Sequence, residues 1–277
     1  MTNILLAGGC SFTEEKGEKN YNFDKWPKIL ANKLKSNYVN LGRAGSSNQE
    51  ISSTLFKYIV ENYNNIKYVF VLWTDWYRVN FCFDKPGFSS VIFKEEKDAH
   101  TAEGRQISND YKSLVNKRLS TNGQITSIDF VNYNLQFYKQ IEIVCKYYKI
   151  PYFFMQGIDN VSDKLRFEKH SPLSNPLSNF DPESDILTRD ISYKSLIDAL
   201  QKNKLQIDTT RFIGWPPFPT GSRFLKNPNR RKLFLQRGFA INHYILKYNL
   251  MVSDTDLHPN KEGHKEIADI FFNEYYE

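Results

Sequence analysis

Short apolar runs alternate with stretches of helical spacing through the first 75 or so residues, and this alternation restricts the chain to a parallel sheet wrapped by helices. The first run, Ile4 to Ala7, is followed by a helical pattern at Trp26, Ile29, Leu30 and Leu34. "YVNL" at 38–41 reads as a second strand, and Ile51, Leu55, Tyr58 and Ile59 give the next helix one apolar face. "YVFVLW" at 68–73 is a continuous apolar run of the kind a central parallel strand needs, because both of its faces are covered. The pattern pauses over 83–123, where prolines, glycines and mixed charges read as an insertion or lid. It resumes with Ile128, Val131, Leu135, Tyr138, Ile141, Cys145 and Tyr148, a long amphipathic helix, and then with the strand "IPYFFMQ". A second irregular stretch, 159–237, holds a helical pattern near 190–203 and the segment "IGWPPFP"; Ile267, Ala268, Phe271 and Phe272 mark a closing helix. The expectation is one domain over 1–277 with insertions at 83–123 and 159–237.

The first strand ends in "GGCSFT", residues 8–13. A strand that stops at Gly-Gly and gives way to small and hydroxylic residues turns sharply at a sheet edge, where open α/β folds place their chemistry, and it exposes Ser11 or Cys10. The turn fits neither the phosphate loop, GxxxxGK with Ser or Thr, nor the dinucleotide fingerprint GxGxxG. A nucleophile at a strand end remains, alongside the plainer reading of Ser11 as a helix cap. A nucleophile needs a base, and "DTDLHPNKEGH" at 254–264, read as an Asp-rich loop directly before the last helix, offers one: His258, with a neighbouring carboxylate to fix its tautomer.

Charge and cysteine usage exclude other classes. Lys plus Arg number 37 against 31 for Asp plus Glu, a net charge of +6, short of the bias of a dedicated nucleic-acid binder. The three cysteines, at 10, 82 and 145, form no CxxC pair and suggest neither a disulfide framework nor a zinc site, and Cys10 reads as a small buried hydrophobe. A reducing, cytoplasmic compartment follows, since no signal-peptide pattern opens the chain and no apolar run reaches the roughly 18 residues of a membrane span. His100, His170 and His243 lack ligand spacing, His264 reads as helix packing, and no metal or other cofactor is expected. Trp73 and Trp76 read as core and rim packing. The run "RFLKNPNRRKLFLQR" at 223–237 carries six cations and no acid; it is a solvated basic face or a contact for an anionic polymer, without the aromatic interleaving of a base-stacking platform.

Four ordered stretches, "GGCSFT", "NLGRAGSSN" at 40–48, "VLWTD" ending at Asp75 and "DLHPNKEGH", resemble the four blocks of the SGNH (GDSL-like) hydrolases. The "WPKILANKL" helix and the "GSSN" wording resemble members found in bacteriophages. The resemblance implies a three-layer α/β/α flavodoxin-like core with no cofactor. It makes Ser11 the nucleophile and His258 the general base, with the backbone N–H groups of Ser11 and Gly45 as oxyanion donors. Where the family usually offers an Asn as third donor this chain has Thr74, with Asn48 as a second candidate. The family's acid stands three residues before the histidine; that position is Thr255, flanked by Asp254 and Asp256. Asp256 is the choice because alternate side chains of an extended segment put Asp254, Asp256 and His258 on one side and Thr255 on the other, and Asp256 is the nearer of the two; a Ser-His dyad is the alternative. The implied activity is hydrolysis of a carboxylic ester through an acyl-enzyme, with O-acetyl groups on a carbohydrate as the favoured substrate. The contrasting reading is a binding or structural module of the same fold, such as a phage virion component, whose chemistry has decayed. Oligomeric state is not legible.

Overall fold

The computed structural model describes residues 3–15, 21–74, 78–82, 88–92, 127–158, 207–214 and 240–276. The helical pattern near 190–203, Asp75, Trp76, His100, His170, the basic run 223–237 and most of the lid stretch lie outside the described residues.

Five strands form the sheet: β1 (Ile4–Gly9), β2 (Asn37–Asn40), β3 (Ile66–Trp73), β6 (Tyr152–Gln156) and β7 (Phe212–Ile213). Their order is β2-β1-β3-β6-β7, and every pairing is parallel. Counted by their own chain order these strands run 2-1-3-4-5, the flavodoxin-like doubly wound arrangement, whose ligand crevice opens at the carboxyl ends of the strands around the first and third. The fold is therefore α/β as expected. The edge strand β7 comes from within 159–237, so that stretch contributes to the core sheet.

The strands read as continuous apolar runs because both faces are covered. Leu5, Ala7, Phe70, Leu72, Phe153 and Met155 face one way, onto α1 (Trp26–Lys33) and α5 (Lys261–Tyr276). Leu6, Val69, Val71, Trp73, Tyr152 and Phe154 face the other way, onto α2 (Asn48–Asn62) and α3 (Ser127–Tyr147). The period of two along each strand thus divides the core into two layers around the sheet. Trp26 is fully buried and meets the Phe271 ring at 5.0 Å, which joins α1 to α5. Trp73 is a core residue. Ser47 caps α2: its hydroxyl accepts from the Glu50 N–H at 3.2 Å, and acidic Glu50 sits in the first turn.

Besides β7, two hairpins and one helix were not legible in the pattern. β4 (Arg78–Cys82) and β5 (Phe88–Ile92) form an antiparallel hairpin at the start of the lid stretch. The helix α4 (Ile241–Lys247) precedes a second hairpin, β8 (Met251–Ser253) with β9 (Asp256–Pro259), so the segment read as an Asp-rich loop around His258 is in fact a strand.

Candidate active site

Three neighbouring strands deliver their ends to one edge. In the register, Ala7 pairs with Asn40 and Gly9 with Leu72, and the Arg43 N–H donates to the Gly9 carbonyl at 3.2 Å. Ser11, Gly45 and Thr74 each follow within two residues of these points, so the loops that carry them leave the carboxyl edge side by side.

The turn after β1 is closed by two amides, Thr13 at 2.8 Å and Glu14 at 3.1 Å, both donating to the Cys10 carbonyl. Among the described residues the next helix after it is α1, which starts at Trp26. Cys10 and Thr13 are fully buried and Phe12 nearly so, whereas Ser11 is half-buried. Gly9 allows this tightness: a Cβ there would lie 2.8 Å from the Thr13 Cβ and 2.9 Å from the Leu72 carbonyl oxygen, closer than side-chain carbons sit. Gly45 is exposed at φ 77, a left-handed conformation that glycine adopts at little cost.

β9 supplies the imidazole. The Asp256 Oδ1 lies 2.7 Å from the His258 Nδ1, with the carboxylate 8% exposed and the imidazole 43% exposed. Leu257, between them, points to the opposite side and is exposed, as the alternation of a strand requires. Asp254 sits exposed in the turn between β8 and β9. A neutral imidazole that donates Nδ1–H to a carboxylate presents its Nε2 lone pair outward, the form a general base needs. The His258 ring meets the Phe12 ring edge-on at 5.6 Å, so the imidazole packs against the residue next to Ser11.

Sequence reasoning missed the side chains that hold this hairpin. Asn260 donates from Nδ2 to the Met251 carbonyl at 3.0 Å and accepts from the Gly263 N–H at 2.9 Å, pinning β8 while capping α5. The second oxygen of Asp256 accepts from the Tyr21 hydroxyl, a residue 235 positions away. An Asn ahead of a helical run three residues before a glycine was a readable cap; the Tyr21 contact had no sequence signal.

The Asn48 amide, the second candidate for the third donor, is committed to partners within the core. It is fully buried, its Oδ1 accepts from the Thr74 N–H at 2.9 Å, and its Nδ2 donates to the Thr74 carbonyl at 3.1 Å and to the Asn134 Oδ1 at 2.8 Å. Gln156 also donates to the Thr74 carbonyl, at 2.8 Å. Both backbone groups of Thr74 are thus held by side chains, which fixes the chain where β3 leaves the sheet. The Thr74 side chain is fully buried, and its Oγ1 has no hydrogen-bond partner among the described residues.

His264 is a buried packing residue on α5. Its Nδ1 accepts from the Trp26 N–H at 3.4 Å; burial, with Lys25 and His258 adding like charge, pushes its pKa down to about 3. Between that value and the ordinary 6.5 the unfolded chain binds a proton that the native state refuses, so native stability falls as pH drops from 6.5. The buried Glu142 and the half-buried Asp208 and Asp269 act lower. Burial alone would raise them, hydrogen bonds and ion pairs more than offset it, and their contribution is lost only below ordinary values of 4.5 and 3.8. Thermal melts of the parent should therefore show a falling midpoint already between pH 6.5 and 5. His264→Asn, whose Oδ1 can still accept from Trp26, should flatten that interval; parallel profiles would contradict the assignment.

No protein-family model matches the sequence, and a comparison with curated proteins finds no match. Among solved structures the chain is similar to an acetyl xylan esterase, AlAXEase, at 12% identity and TM-score 0.41 over 98% of each chain. It is similar to LAE5, an alpha/beta hydrolase enzyme from the metagenome of Lake Arreo, at 12% identity and TM-score 0.38 over 99% of this chain and 95% of that one. A putative lipolytic protein of the G-D-S-L family from Desulfitobacterium hafniense matches over 55% of this chain and 77% of its own, at 16% identity and TM-score 0.23. Likeness this distant bears no functional weight. No helix among the described residues is long and apolar enough to cross a membrane.

Proposed function

We propose that the chain is a serine esterase of the SGNH type. The observation that supports this most is the Asp256–His258 contact at 2.7 Å, with the imidazole seated against Phe12. In this reading the His258 Nε2 takes the Ser11 hydroxyl proton as the oxygen attacks the ester carbonyl. The backbone N–H groups of Ser11 and Gly45 donate to the oxyanion, and the imidazolium returns its proton to the leaving alcohol. An acyl-Ser11 ester remains, and water activated by His258 releases the carboxylic acid. Thr74 is the third donor in this scheme, with a hydroxyl that no other described group occupies but that is closed to solvent. O-acetyl groups of a carbohydrate are the favoured substrate, on the family resemblance. The test is release of acetate from an aryl acetate and from an acetylated oligosaccharide, with turnover of the first expected at neutral pH. The closed Thr74 side chain favours a second reading, a binding or structural module of this fold, and absence of turnover on both substrates is that reading's expected result.

A further inference from the structure

Asp256 accepts hydrogen bonds at both carboxylate oxygens. Oδ1 serves the His258 Nδ1, and it is also 3.3 Å from the His258 backbone N–H. Oδ2 takes the Tyr21 hydroxyl, and the Asp256 N–H is itself held by the Ser253 Oγ at 3.1 Å. Rotation about the terminal torsion of an aspartate is soft, so contacts at one oxygen leave the carboxylate plane free to swing. A donor fixed on the second oxygen removes that freedom.

The donor is itself anchored. Tyr21 stacks on Phe23 at 5.4 Å and 14°, and the Lys25 ammonium lies 4.7 Å from the centroid of each of these rings. Phe23 in turn packs against the buried His264 ring at 5.7 Å, which ties the segment to α5. Burial lowers the Lys25 pKa while Asp256 and Glu14 act to raise it, consistent with an ammonium held near the Asp256 carboxylate.

We propose that Tyr21 is a positioning residue for the Asp256–His258 pair: its hydroxyl fixes Asp256 Oδ2, so that Oδ1 stays on the Nδ1–H of the imidazole and Nε2 stays available as an acceptor. Its kinetic consequence rests on the esterase reading above; its effect on the imidazole does not.

Tyr21→Phe tests it, because the ring stack and the cation above it survive while only the hydroxyl is lost. Long-range ¹H–¹⁵N spectra of His258 report the tautomer without any turnover. The parent should hold the Nδ1–H form, Tyr21→Phe should move toward a mixture of tautomers, and Phe23→Leu, which removes the ring that anchors Tyr21, should move the same way by less. With an aryl acetate, Tyr21→Phe should lower kcat about tenfold with little change in KM, as a misplaced catalytic group does. An unchanged His258 tautomer in Tyr21→Phe overturns the proposal, whatever the rates. A parent without turnover but with a tautomer that responds to Tyr21→Phe keeps the positioning role and overturns the esterase reading instead.

Discussion

Ser11→Ala is expected to reduce turnover of an aryl acetate by about 10⁴-fold or more, the scale of loss when the nucleophile of an acyl-enzyme mechanism is removed. Ser11 is half-buried at a turn whose closing bonds are backbone amides to the Cys10 carbonyl, so the hydroxyl is not needed to hold the turn. The unfolding midpoint should therefore stay near the parent's, within the roughly 0.5 kcal/mol typical of substitutions away from the core. Steady-state kinetics and a thermal melt on the same preparation separate the two effects. Unchanged turnover would remove Ser11 from the mechanism, and a collapsed melt would show that the turn depends on the side chain.

The second large effect is expected at the acid. Asp256→Asn should lower the rate by about 10⁴-fold, because an amide can favour the wrong imidazole tautomer and cannot balance the imidazolium charge that forms during attack. Asp254→Asn should behave like the parent, since that carboxylate is exposed in the β8–β9 turn while Asp256 holds the imidazole at 2.7 Å. The comparison is made at matched substrate concentrations across pH 6 to 9. Small, equal losses in both variants would point to a Ser-His dyad, and a large loss confined to Asp254→Asn would show that the described pairing is not the working one.

What could be read in advance follows burial. The strands covered on both faces were legible, because continuous apolar runs such as "YVFVLW" have no other economical use in a chain of this kind. The helices α1, α2, α3 and α5 announced themselves through one-sided apolar spacing. Phe212–Ile213 is too short for any period to register, and β8 and β9 alternate polar residues as a one-faced hairpin does, so the segment read as a loop. At the site, alternation set Thr255 aside and proximity favoured Asp256 over Asp254; the Asp256 carboxylate lies 2.7 Å from the imidazole, while Asp254 sits in the β8–β9 turn and not in the extended run that the argument assumed. The commitment of the Asn48 amide was not legible because its partners lie far away in the chain: Thr74, Asn134 and Tyr138 meet it only once α2, β3 and α3 have packed. Tyr21 was invisible for the same reason, its partner standing 235 positions away.

The central claim is that Ser11 is an activated nucleophile, and covalent labelling tests it without knowledge of the natural ester. A fluorophosphonate reacts with a serine only where a base removes the proton and donors stabilise the developing oxyanion. The parent should gain the mass of one phosphonyl group, located by peptide mass spectrometry on the fragment that contains Ser11, and Ser11→Ala should gain none. A folded parent that takes up no label, or takes it up at another residue, would contradict the account.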